Sequence, residues 1–255
     1  MPNSFKEKTF ALFANPNNRK IAADLERAGA KVLKFPLLDA EKIESNESSI
    51  EQLNHLAEFD WIIFTDVLTV DFFLQSLEEN TVDFFELDAI RVCAFGEAVT
   101  DQLRFVQLHA DVIPNRIQTE AVLLTLKNYI AAENFTNLKF LLVQGSLFED
   151  ELKNRLTQAG AEVCELPIYQ IKISKENEIP KIKALVKGGA IDEFIFTAPA
   201  DLIYLNYIFS GEPLARVFAD VKISAADPIV YQTVRENDLI RAGLFQADKI
   251  AKVDE

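Results

Sequence analysis

Four residue pairs stand where a β-rich run gives way to a helical pattern. They are Thr65-Asp66 after WIIF, Gly96-Glu97 after VCAF, Gly145-Ser146 after LLVQ and Thr197-Ala198 after FIF. Pro228 joins them, beside Asp227, the position that answers Gly96 in an internal repeat. A strand end followed by a helix start leaves backbone N–H groups free, and the helix dipole favours negative charge there. The chemistry expected of such points together is the gripping of a ligand with several carboxylates. Taken singly, each pair is better explained by structure, with Thr65 and Thr197 as helix caps. Repetition makes the case for function.

Other chemistries find no footing. The two histidines, His55 in a helix and His109 near a loop, have no metal-ligand spacing around them, so no metal is expected. The 8 glycines form neither G-x-G-x-x-G nor a Walker loop, and no G-x-S-x-G elbow is present. The acidic stretches FFELD and LFEDE read as solvated faces rather than paired catalytic carboxylates.

The elements that must position these residues repeat. Runs rich in β-formers (FALFA, KVLKF, WIIFT, VCAFG, KFLLVQG, FIFTA, VKISA) alternate with segments of helical period. Ile21, Leu25 and Ala28 share one helical face, as do Leu152, Leu156 and Ala159. The polar stretch ESNESSIEQ, Glu44 to Gln52, is expected as a loop before a helix. Alternation of this kind implies parallel sheets wound with helices on both faces. DLERAGAKVLKFPLLDA, from Asp24, is answered by NRLTQAGAEVCELPIYQI, from Asn154, pairing Gly29 with Gly160 and Pro36 with Pro167. Thr65 pairs with Thr197 and Gly96 with Asp227 at nearly the same offset. Each copy is expected to be a doubly wound, flavodoxin-like α/β domain, the two similar halves enclosing a cleft.

The 255 residues suit two domains, and 49% hydrophobic content with 20 Phe is ample for two cores. A net charge of −14 argues against a nucleic-acid partner and an anionic membrane surface, though not against an anionic small molecule in a cleft. Cys93 and Cys164 lie in apolar runs and read as buried thiols of a reduced compartment. The N-terminus lacks the apolar core of a signal peptide, and no run approaches a membrane span; the cytoplasm follows.

The blocks resemble one family. AFGEAVTDQL is similar to the VGEAT segment of uroporphyrinogen-III synthases, and IIFTDVLTV and FIFTAPADL to that family's two FTS segments. FLLVQGSLFEDELKNRLTQAGAEVCELPIYQI resembles its central strand, helix and PxY stretch. The resemblance runs from about Phe10 to Phe245. It implies two α/β domains, residues 1–35 with 173–255 and residues 38–168, joined by extended linkers near 35–38 and 167–172. It also implies a monomeric cyclase without metal or organic cofactor. Such an enzyme closes linear hydroxymethylbilane, a tetrapyrrole with eight carboxylates, with inversion of the last ring and loss of water. Tyr169 matches the tyrosine of the PxY stretch, and the implied role is hydrogen-bond donation to the departing hydroxyl; packing at a hinge is the competing role.

The chain departs from the family pattern at named places. Asn15 stands for an arginine, Asp66 and Ala198 for serines, and Val99 for a threonine. Gln144 stands for an arginine, and Asp227 and Val230 for the second glycine and threonine. Two alternatives therefore stand beside the enzyme: a homologue that binds a tetrapyrrole or another polycarboxylate without turnover, and a two-domain binding protein of periplasmic type.

Overall fold

A computed structural model describes residues 5–14, 19–35, 39–116, 118–146, 148, 150–172, 178–210, 212–239 and 241–245. The chain divides into two compact units, Met1–Asp39 with Ile173–Glu255, and Ala40–Lys172. Asn15 and Pro36, and with Pro36 most of the stretch expected as the first linker, lie outside the described residues.

The first unit opens with β1 (Thr9–Phe13), α1 (Arg19–Arg27) and β2 (Lys31–Phe35). Ala22 and Leu25 of α1, and Ala28 just beyond it, turn one face into the core, with Ile21 packed at its margin. The chain then enters the second unit through β3 (Asp39–Lys42), α2 (Glu47–Asn54), β4 (Trp61–Phe64), α3 (Val67–Glu79) and β5 (Arg91–Ala94). It continues through α4 (Gly96–Phe105), α5 (Thr119–Ile130), β6 (Lys139–Gly145), α6 (Glu151–Gln158) and β7 (Glu162–Lys172). It returns to the first unit as α7 (Ile179–Lys187), β8 (Glu193–Phe196), α8 (Ala200–Ile208) and α9 (Leu214–Val217). The last described elements are β9 (Lys222–Ala225), α10 (Pro228–Glu236) and β10 (Gly243–Leu244).

The first sheet has the order β2-β1-β8-β9-β10, every pairing parallel. This is the flavodoxin-like order, with one strand to one side of the first and three to the other. The second sheet runs β3-β7-β6-β4-β5, parallel from β7 through β5. Laying β6 on β1 makes β7-β6-β4-β5 the same order as β2-β1-β8-β9. A lone parallel bridge from Cys93 to Val112 then occupies the place of β10. Central strands are buried on both faces, which is why they read as unbroken apolar runs. Trp61, Ile62 and Ile63, and likewise Phe140 to Val143, expose nothing.

Here one expectation is corrected. The repeat places β1, β2, β4 and β5 in one copy and β6, β7, β8 and β9 in the other. Neither copy is a unit. Each unit takes two strands from each copy, an exchange of the kind seen in swapped dimers but made within one chain. Equivalent strands offer equivalent edges, so the swapped pairing satisfies the same ladders. Gly29 and Gly160, matched in the repeat, both have left-handed backbone (φ 84° and 94°) at the turn from helix to strand. An L side chain is strained there, which accounts for glycine at both places.

One further expectation changes. The polar stretch from Glu44 is not all loop, because α2 begins at Glu47. Asn46 caps it by accepting from the Ser49 amide at 2.8 Å. Residues 167–172, expected as an extended linker, form the last part of the eleven-residue strand β7. The Ile43 amide donates to the Ile168 carbonyl at 2.9 Å. Glu41 of β3 accepts from Gln170 at 3.0 Å and Lys172 at 2.8 Å.

Candidate functional site

In the second unit the carboxyl ends of β4, β6 and β7 bring together five of the residues singled out above: Thr65, Asp66, Gly145, Ser146 and Tyr169. Thr65 continues β4 and is buried; its amide and hydroxyl both reach the Val143 carbonyl, at 3.4 and 3.3 Å. Asp66 caps α3, with Oδ1 accepting from the Thr69 amide at 3.0 Å. The Thr69 hydroxyl answers the Asp66 amide, completing a capping box. The other oxygen, Oδ2, accepts from the Tyr169 hydroxyl at 2.9 Å and lies 3.4 Å from the Thr65 hydroxyl.

Tyr169 is fixed from three sides. Its ring stacks on Phe72 of α3, centroids 5.6 Å apart. Gly145 lies against its polar end, where a Cβ would fall 2.7 Å from Cζ and 2.8 Å from the hydroxyl oxygen. Only glycine leaves room for the phenol. The backbone is held too, because the Ser146 amide donates to the Tyr169 carbonyl at 2.9 Å. Burial pushes the Asp66 carboxyl up to about 6, against the lowering effect of hydrogen bonds from Tyr169, the Thr69 and Leu68 amides, and Thr65. This carboxyl therefore changes charge near neutrality while touching a phenol.

The expectation of open amides at every junction is corrected. At α3 they are taken by Asp66. In the first unit Asp201 Oδ2 accepts from the Thr197 amide at 2.7 Å, the Ala198 amide at 3.1 Å and the Thr197 hydroxyl at 3.1 Å. Pro228 opens α10, whose cap is Asp227, accepting from the Val230 amide at 2.9 Å. The physical reason is the same throughout: an aspartate in or beside the first turn satisfies the donors that a ligand would otherwise use. At α4 the situation differs, for Phe95 in the cap position supplies no side-chain acceptor. Gly96 is buried there, and Glu97 faces Arg104 on the helix surface. Thr197, Ala198 and Pro228 belong to the first unit, and the Tyr169 cluster belongs to the second.

Sequence reasoning missed Asp201 and Phe72. Asp201 is fully buried, its Oδ1 has no hydrogen-bond partner among the described residues, and burial pushes its carboxyl up to about 6. The signal for it was present, an aspartate four residues after Thr197 in the first turn of α8. Phe72 had none beyond lying on α3. Gln144, which stands for an arginine, is buried and donates to Glu165 at 3.1 Å. Among the described residues, no group of three His, Cys, Asp or Glu is arranged to hold a metal ion. No described helix is long and apolar enough to cross a membrane.

A family model described as uroporphyrinogen-III synthase HemD matches residues 19–242. The chain belongs to the uroporphyrinogen-III synthase family. Among curated relatives, a uroporphyrinogen-III synthase of Chlorobaculum parvum is 24% identical over 178 residues, 69% of each chain. A porphyrin biosynthesis protein HemD of Ruminiclostridium josui is 21% identical over 174 residues, 68% of this chain, which spans about a third (34%) of that longer relative. The uroporphyrinogen III synthase of Thermus thermophilus shares the fold, with a TM-score of 0.63 at 18% identity, covering 97% of this chain and 98% of its own. A triple mutant of that enzyme gives 0.65 at 17% identity and 96% coverage of each chain. The two-unit α/β architecture is thus the one that solved members of this enzyme family display.

Proposed function

We propose that this protein is a working uroporphyrinogen-III synthase, a carbon–oxygen lyase that cyclises hydroxymethylbilane with inversion of the last pyrrole ring. On this reading it acts as a cytoplasmic monomer on a small polycarboxylate, without metal, organic cofactor, nucleic acid or membrane. Water must leave from the terminal hydroxymethyl carbon, and a hydroxyl departs readily only when it receives a proton or a strong hydrogen bond. Tyr169 is the group that supplies it. The observation that carries the reading is the immobilised Tyr169 hydroxyl, 2.9 Å from Asp66 and walled by Gly145 and Phe72. The remaining task is to hold a flexible chain in the geometry that gives the inverted ring. Gly96 and Glu97, at the head of α4, are the backbone donors proposed for substrate carboxylates, because no side chain caps that helix. Thr65, Gly145 and Ser146 shape the surroundings of Tyr169.

A second reading has its own support. Asp66, Asp201 and Asp227 close amides and add negative charge at positions proposed for anion docking. A homologue that binds a tetrapyrrole without turning it over fits those three caps. Incubating the purified protein with hydroxymethylbilane and separating the isomers distinguishes the two. The enzyme yields type III product. The binding module shows a thermal shift with uroporphyrinogen III, yet its product mixture is the type I isomer of the protein-free control.

A further inference from the structure

We infer that Asp66 is a positioning residue that acts through Tyr169, handing its proton to the phenol oxygen as the phenol gives its own to the departing hydroxyl. The inference rests on the synthase reading and adds a residue to it. The family's FTS pattern has a serine at this position, and a serine cannot hold a carboxyl proton in reserve.

The geometry singles out Asp66. Its two oxygens divide the work: Oδ1 is committed to the Thr69 amide at the head of α3, while Oδ2 accepts from the Tyr169 hydroxyl. When the carboxyl carries the proton the same contact runs the other way, Oδ2 donating to the phenol oxygen and leaving the phenol proton for the substrate. The phenol cannot swing away, because Gly145 and Phe72 hold the ring. Every group acting on the carboxyl can be named. From the end of β4 comes the Thr65 hydroxyl, from α3 the Leu68 and Thr69 amides, and from β7 the Tyr169 hydroxyl. No lysine or arginine among the described residues holds it ionised. Burial therefore leaves it protonated for an appreciable share of the time near neutrality.

The step balances. The C–O bond of the hydroxymethyl group breaks with its electron pair on oxygen, which takes the Tyr169 proton and leaves as water. Tyr169 is re-protonated by Asp66, which becomes a carboxylate. The carbon left behind is a cation delocalised onto its pyrrole nitrogen and is attacked by the bridge-bearing carbon of the last ring. That carbon's old bond to its methylene bridge then breaks, which moves the cation to the bridge; the free α carbon of the same ring closes on it and sheds the proton that restores Asp66, so no proton is consumed overall.

The test compares wild type with Asp66→Asn and Tyr169→Phe, reading kcat, KM and isomer ratio from pH 5 to 9. Asparagine keeps the cap, since its amide oxygen still accepts from Thr69, but has no acid proton. The expected result is a kcat fall of about ten-fold or more in Asp66→Asn with KM nearly unchanged. The decline of wild-type kcat as pH rises above about 6 should also disappear. Asp66→Asn with wild-type kcat and pH profile overturns the inference. A second measurement follows the Asp66 carboxyl directly by site-labelled infrared or carbon NMR titration. Its midpoint should rise in Tyr169→Phe, because the donor that favours the charged form is gone; an unmoved midpoint also overturns the inference. If wild type makes no type III product at any pH, the synthase reading fails and takes the relay with it. A coupled titration in that same protein would show that the hydrogen-bonded pair stands and that the assigned reaction was the fault.

Discussion

The two units each place one aspartate at the carboxyl end of an equivalent strand, the half-buried Asp66 beyond β4 and the buried Asp201 beyond β8. Both carboxyls are raised to about 6 by burial, and both satisfy amides at a helix entrance. The repeat keeps the threonine, Thr65 and Thr197, but moves the carboxylate from the next residue to the fourth one along. That shift changes what the second oxygen meets. In the second unit it meets the Tyr169 hydroxyl; in the first, Asp201 Oδ1 has no hydrogen-bond partner among the described residues. The nearby phenol there, Tyr204, feels the charge of Asp201 as a rise in its own pKa, after the larger effect of burial. The lesson is that closing a strand end requires only an acceptor. In the second unit the acceptor also touches a phenol, the more acidic hydroxyl, whereas in the first Asp201 accepts from the Thr197 hydroxyl and two amides.

The contrast can be broken by substitution. Tyr169→Phe should lower the rate of type III formation by about a hundred-fold, within the range for losing an acid catalyst. Asp201→Asn should change that rate less than about two-fold, as expected for a carboxylate whose work is structural. Equal losses in a single-turnover isomer assay would erase the distinction between the units. Next in size is Gly145→Ala. The added methyl meets the Tyr169 ring, so about 1–3 kcal/mol of stability should be lost, together with activity. A urea midpoint unchanged from wild type would show that the ring can move aside.

Asp201→Ala should cost about 1–2 kcal/mol by leaving the Thr197 and Ala198 amides without their acceptor, while the isomer ratio holds. Denaturant titration and product separation on the same preparation check both halves. The smallest effect is the pH dependence of stability. A raised carboxyl contributes stability that is fully present below its ordinary value of 3.8 and lost as pH rises through about 6. Glu41, Glu79 and Glu212, held below the usual carboxylate range chiefly by bonds to lysines, act in the opposite direction on acidification and blunt the slope. Asp66→Asn should therefore lose less stability than wild type between pH 4 and 6. Parallel curves from denaturant midpoints would contradict it.

Much of the fold was legible because parallel strands buried on both faces must be apolar at every position, as WIIF and KFLLVQG are. The strand Asp39–Lys42 was not, since DAEK has no apolar pattern and is held by side chains from Gln170 and Lys172. The exchange of repeat halves between units was legible only through the family resemblance, not in the repeat itself. Local sequence says which segments are strands but not which of two equivalent edges each will join. Tyr169 and Asp66 were each visible as singular residues, one in PxY and one in place of a serine. Their contact spans 103 residues, and nothing in the spacing announces it. The closing of amides by Asp66, Asp201 and Asp227 was misread for a simpler reason. The threonines were weighed as caps, whereas the neighbouring aspartates, the stronger acceptors, take the amides instead.

The most direct test runs hydroxymethylbilane through wild type, Tyr169→Phe and Asp201→Asn side by side and reports the ratio of the two ring isomers. Type III is expected from wild type and from Asp201→Asn, and a collapse toward type I in Tyr169→Phe. Undiminished type III from Tyr169→Phe would contradict it.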